Sequence, residues 1–407
     1  MKRSLTTSVI VICLSFLLIS DLSAHSWTVQ TTGAFNTLWS TSFPHQDTGF
    51  AVGSNGTIIK THNGGANWYS QSSPTGNLLH HVYFLSGSLG WAVGHNGRII
   101  KTTNGGTNWQ LKSSGTSSNL FYVHFVHRNL GFACGDQGVI KTTDGGESWN
   151  SSLVEPWVYS VYFVNQNTGW AGVRFGKMFK TTNGGNTWFQ QTTGTDATSF
   201  GMQFLDVNTG WAVGDYNSII KTTNGGNTWF HQDYEFGGFS TASRSVSFVD
   251  SQKGWIVGYD GLILRTTNGG TNWTQISAPV NVDYLGIRIK GTQGWAVGDN
   301  GTVIYNDNVT GITNTSSEIP GKYNLSQNYP NPFNPSTKIK FEIPEKGFTS
   351  LKIFNVLGKE VFDLVSSELN SGSYEYEFNA SALNSGIYYY ILKSGNYSDT
   401  KKMILIK

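Results

Sequence analysis

Residues 90–109 decide the fold: Gly90-Trp91-Ala92-Val93-Gly94-His95-Asn96-Gly97-Arg98-Ile99-Ile100-Lys101-Thr102-Thr103-Asn104-Gly105-Gly106-Thr107-Asn108-Trp109. Two short apolar runs, Gly90 to Gly94 and Arg98 to Thr102, are split by Asn96-Gly97, a pair that tolerates positive φ at both central positions of a tight hairpin. A second turn, Asn104-Gly105-Gly106, leads to Trp109. Leu79 to Leu85 alternates as a strand before this stretch, and Trp109 to Ser113 reads as a fourth strand after it. Four antiparallel strands in about 40 residues make one propeller blade.

The unit recurs. Its first glycine falls at Gly49, Gly90, Gly131, Gly169, Gly210, Gly254 and Gly294, at intervals of 41, 41, 38, 41, 44 and 40 residues. The turn-plus-Trp element ends at Trp68, Trp109, Trp149, Trp188, Trp229 and Trp273. The last unit stops after Val303-Ile304-Tyr305 without its Trp. Trp27-Thr28-Val29-Gln30 matches the missing piece in character and in its distance from the following blade. The N-terminal strand is therefore expected to form the outer edge of the last blade and close the ring, leaving no open sheet edge. The expected architecture is all-β, a seven-bladed β-propeller over residues 25–307.

Compartment and charge follow from the ends and the composition. Lys2 and Arg3 precede an apolar run, Val9 to Ile19, and then Leu22-Ser23-Ala24, the pattern of a signal peptide over residues 1–24. The run is short for a bilayer span, so no stable membrane insertion is expected. Cys13 leaves with that segment, and Cys134, in the Val slot of the repeat, is expected to be a buried, unpaired core residue. The net charge of +2 becomes +1 without Lys2, Arg3 and Asp21, leaving 25 basic and 24 acidic residues. That balance argues against nucleic acid as a partner.

After Asp307 a Thr/Ser/Asn-rich stretch, 308–321, reads as a linker. Residues 322–407 open on Asn328-Tyr329-Pro330-Asn331-Pro332-Phe333-Asn334-Pro335, whose prolines force an extended start. About six short alternating strands follow, which suggests a small Ig-like β-sandwich.

Two resemblances attach to these motifs. Thr142-Thr143-Asp144-Gly145-Gly146-Glu147-Ser148-Trp149 resembles an Asp-box (BNR repeat), with Asn replacing Asp in the other copies. The pairing of Gly-Trp-Ala-Val-Gly with Lys-Thr-Thr-Asn-Gly-Gly over residues 27 to 305 resembles the propeller family of photosystem II stability and assembly factors. That family name implies assembly of a membrane complex. The C-terminal segment resembles the type A sorting domain of the type IX (Por) secretion system. The resemblance rests on the Pro-rich opening, Ile353 to Gly358, Ser385 to Tyr389 and the closing Lys401-Lys402-Met403-Ile404-Leu405-Ile406-Lys407. It implies contact with the secretion machinery through residues 322–407, with Lys401, Lys402 and Lys407 in the sorting motif. It also implies passage through the periplasm of a Bacteroidetes-type bacterium to the outer-membrane surface or the medium.

Asp-box propellers include glycoside hydrolases, so catalysis is the alternative reading. The arginines of the propeller do not form the sialidase signature, and Arg265 occupies the repeated Lys slot. Asp136, Asp215 and Asp299 recur at one repeat position and read as turn residues rather than as a carboxylate pair. His80 and His81 are adjacent and expected on opposite sides of a strand, which disfavours a shared metal ion. No catalytic, metal or cofactor residue is assigned; the expectation is a non-enzyme.

Departures from the repeat point to binding. Arg174-Phe175 in blade 4, Tyr216 in blade 5 and Tyr259 in blade 6 replace the short Asn-Gly turn, and 234–239 lengthen the approach to blade 6. Trp39, His80, Phe121, Tyr159, Phe200 and Arg244 start the inner strands at one equivalent position, with Phe121 and Phe200 favoured as packing residues. The candidate face for a protein or glycan partner is Arg174, Tyr216, Arg244, Tyr259, Trp39, His80 and Tyr159.

Overall fold

The computed structural model describes residues 26–232, 242–309, 312–316, 318–380 and 383–407. The expected signal peptide and the 234–239 extension lie outside the described residues. Among the described residues no helix is long and apolar enough to cross a membrane.

Seven four-stranded antiparallel sheets follow one another from residue 28 to residue 306. Blade 2 is typical, with Leu79–Phe84 inside, then Gly90–Gly94, Ile99–Thr102 and, outermost, Gln110–Lys112. Blade 7 is Tyr284–Lys290, Gln293–Gly298 and Val303–Asn306, with Thr28–Gln30 as its outer strand. Thr28 pairs with Tyr305, Val29 with Ile304 and Gln30 with Val303, so the ring closes on strands from both ends of the propeller.

A ring stack cements six of the seven junctions, all but the one between blades 6 and 7. The second-strand aromatic of one blade lies flat on the inner-strand Phe of the next: Trp91 on Phe125 at 3.5 Å, Trp170 on Phe204 at 3.6 Å, Trp211 on Phe248 at 3.6 Å. The Trp after the turn closes on the same Phe edge-on, as Trp229 does on Phe204 at 5.9 Å. A Cβ on Gly90 would meet the Phe84 ring at 2.6 Å, so the repeated glycine makes room for that Phe. Cys134 is fully buried in this layer, and burial pushes its thiol up.

The turn before each Trp is built by one hydroxyl. Thr222 Oγ1 accepts from Gly226 N–H at 2.7 Å and donates to Asn224 Oδ1 at 3.1 Å. In blade 3 Asp144 replaces Asn and accepts from Thr142, Glu147 and Ser148, which holds its carboxyl well below the usual range.

The C-terminal unit is a sandwich of two four-stranded sheets, one of 312–316, 324–325, 336–343 and 372–379, the other of 347–355, 360–369, 386–394 and 397–405. It holds more strands than the sequence suggested. Ile312–Ser316, within the stretch read as linker, pairs with Gly372–Asn379 as an edge strand, where its β-branched residues suit the extended form. The Pro-rich opening lies along the last strand: Phe333 is buried and exchanges backbone bonds with Ile404 and Ile406. Asn331 Oδ1 accepts from Ile404 N–H at 2.9 Å. Among the closing residues, Lys401 pairs with Asp399 at 3.2 Å, while Lys402 and Lys407 are exposed.

Candidate functional site

The inner strands carry a shared irregularity. In every blade the register slips by one residue near the start of the inner strand, at Trp39, His80, Phe121, Tyr159, Phe200, Arg244 and Leu285. A bulge of this kind re-aims a side chain out of the ladder. Here all seven residues are turned to one cavity of about 550 Å3 at the mouth of the central channel.

The bulge overturns one expectation. His80 and His81 both line the cavity, because the extra residue breaks strict alternation between them. Phe121 and Phe200, expected in packing, also line it. Phe121 stacks on Tyr159 at 5.0 Å, and Arg244 lies over Phe200 at 4.2 Å, Tyr259 at 5.6 Å and Trp39 at 5.8 Å. Trp39 meets His80 edge-on at 4.8 Å.

Below the mouth two further tiers repeat around the channel. The first holds Ser40, His81, Tyr122, Ser160, Gly201, Ser245 and Gly286, the second Ser42, Tyr83, His124, Tyr162, Gln203, Ser247 and Arg288. Many of these groups serve the inner edge of the next blade. Ser42 Oγ accepts from Phe84 N–H at 3.0 Å, Gln203 bonds both N–H and C=O of Phe248, and the His124 ring bonds the Phe163 carbonyl at 3.0 Å. Free inner-edge groups are thereby satisfied without a further strand. The rings are concentrated in blades 2 to 4, whereas small residues, Gly201, Ser245, Gly286 and Ser40, line the cavity from the other blades.

Burial holds the imidazoles neutral. It pushes His80 and His81 down to about 3 and His124 down to about 4. Burial pushes the Tyr83 phenol up to about 12. The cavity wall contains Arg244 and Arg288 and, among the described residues, no carboxylate. No group of three or more metal-ligating side chains occurs among the described residues.

Two of the recurring acids hold turn or strand-entry groups. Asp136 Oδ2 accepts from Asn119 N–H at 3.0 Å and Asp299 Oδ1 from the Thr37 hydroxyl at 2.9 Å. Arg174, Tyr216 and Tyr259 all belong to turns between second and third strands. Blade 4 keeps the length of the other turns: Phe175 occupies the place of Asn55 and Asn96, with Gly176 after it. Arg174 stacks between Trp157 at 5.3 Å and Phe175 at 4.7 Å. Sequence reasoning missed Trp157, Leu285 and Arg288. The last two were findable, because each lies one repeat after Arg244 and Ser247.

Comparison with known proteins agrees with this architecture. The structure described as YCF48 bound to D1 peptide superposes with a TM-score of 0.57 at 19% identity, covering 69% of this chain and 96% of its own. YCF48 from Cyanidioschyzon merolae gives 0.58 at 18% identity, covering 69% and 98%. The WD40 β-propeller domain of Doa1 gives 0.57 at 11% identity, covering 69% and 96%. At these identities the likeness is one of fold. No curated protein matches the chain. The secretion system C-terminal sorting domain matches residues 327–407. The photosynthesis system II assembly factor YCF48 model matches residues 19–114, 180–282 and 239–325, more than half of the chain. With two motifs in register, a ring closed by Trp27 and a sorting sandwich behind it, this chain belongs to the photosynthesis system II assembly factor YCF48 family and ends in a secretion system sorting domain.

Proposed function

We propose that this protein is an exported, non-catalytic binding propeller that seats an extended polypeptide segment across its channel mouth. Its sorting domain directs it through type IX secretion to the cell surface or the medium. One observation carries the binding reading: seven bulged residues converge on one cavity, and Arg244 is caged there by Trp39, Phe200 and Tyr259 with no ion pair among the described residues. Half-buried rings around a guanidinium at a cavity mouth are of the residue types that dominate protein interfaces. The YCF48 propeller that shares this fold was solved with a peptide, which supports a polypeptide over other ligands.

The test is capture of partners from the native culture by the purified chain. Arg244→Gln is expected to weaken capture at least tenfold with the melting temperature retained within a few degrees. Undiminished capture by that variant would sink the assignment of the mouth. Turnover of a glycan panel by the wild type would replace binding with hydrolysis.

A further inference from the structure

Three bulky aromatic residues hold left-handed backbone on the rim of blades 4 and 5: Trp157 (φ 62°), Phe175 (φ 55°) and Tyr216 (φ 54°). Such φ values are rare for large side chains. In blades 1, 2 and 7 the equivalent turn position is Asn55, Asn96 or Asn300, with φ of 55° to 56°, and a glycine follows each. Asn is among the few side-chain-bearing residues that tolerate this region. Blades 4 and 5 therefore depart from the least strained solution present elsewhere in the same ring.

The departure buries none of the three rings in the core. Trp157, Phe175 and Tyr216 are 41%, 67% and 78% exposed. Strain kept at exposed rings has no packing reason, and strained positions of this kind cluster at ligand-binding sites. Arg174 lies between Trp157 and Phe175, so its faces are covered and, among the described residues, no acceptor holds its N–H edge. No carboxylate among the described residues pairs with it. A guanidinium stacked in this way presents its donor fork to a carboxylate.

We infer that Trp157, Arg174, Phe175 and Tyr216 form a docking strip for an extended polypeptide bearing an acidic side chain beside an apolar one. The carboxylate is received on the Arg174 edge, and the apolar side chain packs on Phe175 and Tyr216. The strip is continuous with the cavity, because Trp157 also lines it. This inference rests on the polypeptide-binding reading of the mouth and extends it to the rim and to the partner's chemistry.

The experiment uses the full chain, the double variant Phe175→Asn/Tyr216→Asn, and immobilised synthetic peptides. One peptide set carries Asp or Glu beside Phe or Leu; the control set carries Lys beside Ser. The wild type is expected to retain the acidic–apolar set. The double variant is expected to lose that retention at least tenfold while melting about 2–4 °C higher, since Asn relieves both turns. Unchanged retention, or a melting temperature that stays level or falls, overturns the strip. If the wild type retains neither set, the polypeptide reading itself fails. Retention of a glycan array that depends on Phe175 and Tyr216 overturns the polypeptide assignment.

Discussion

His124 shows how a single channel residue couples the fold to pH. It is 6% exposed, and its ring bonds the Phe163 carbonyl at 3.0 Å. Burial lowers its pKa to about 4, with the Phe163 bond opposing in part. The unfolded chain takes up that proton below about pH 6.5, but the folded chain refuses it until about pH 4. Stability is therefore full above the unfolded pKa and falls as pH drops through this window, by about 1.4 kcal/mol per pH unit for this residue. Denaturant titrations at about pH 6.5 and pH 5 check the sign, and His124→Gln is expected to remove roughly 2 kcal/mol of the difference. A wild type equally stable at both pH values would refute it. The residue's tier was legible from the 41-residue interval between Tyr83 and His124. Its neutral state was not, because that depends on which rings close around it.

The turn before each Trp gives the same argument at the scale of an element. Thr222 is fully buried, accepts the Gly226 N–H and donates to Asn224, so one hydroxyl organises the whole turn. Thr222→Val keeps the shape and orphans a buried donor, which costs roughly 1–3 kcal/mol. Thr222→Ser is expected to recover most of it, and thermal melts of the pair would decide. Blades, turns and their order were readable here because Asn-Gly and Asn-Gly-Gly encode the backbone directly. The bulge was hidden: Trp39, His80 and Arg244 share no chemistry that marks an extra residue, and the slip appears only when strands pair. The left-handed aromatics were hidden for the opposite reason, since Phe175 and Tyr216 looked like a changed turn although the backbone kept its course.

For the whole molecule the decisive junction lies between blades 6 and 7. At four of the other junctions a second-strand Trp N–H reaches a turn carbonyl of the following blade, as Trp211 does to Gly269 at 3.2 Å and Trp295 to Gly64 at 2.8 Å; Phe50 and Phe132 take the Trp position in blades 1 and 3. Blade 7 has no such turn, because its outer strand comes from the other end of the propeller. Trp255 Nε1 is accordingly buried without a hydrogen-bond partner among the described residues, and Ile289 occupies the place of the stacking Phe. Trp27 meets Trp255 edge-on at 5.5 Å and is 3% exposed. The sorting sandwich lies nearby, with Lys253 donating to the Leu364 carbonyl and lying 4.7 Å from the Tyr376 ring. Closure thus depends on a short strand and one indole where other junctions have a complete turn. Trp27→Ala is expected to cost roughly 3–5 kcal/mol, and the loss is expected to be local first. Hydrogen exchange at 28–30 and at Val303–Asn306 should accelerate together while Ile219–Thr222 of blade 5 stays protected. Trp229→Ala, similar in size of loss, should instead expose blade 5 and leave Val303–Asn306 slow. If both variants open the same strands, the ring unfolds as one cooperative unit and the seam has no special role.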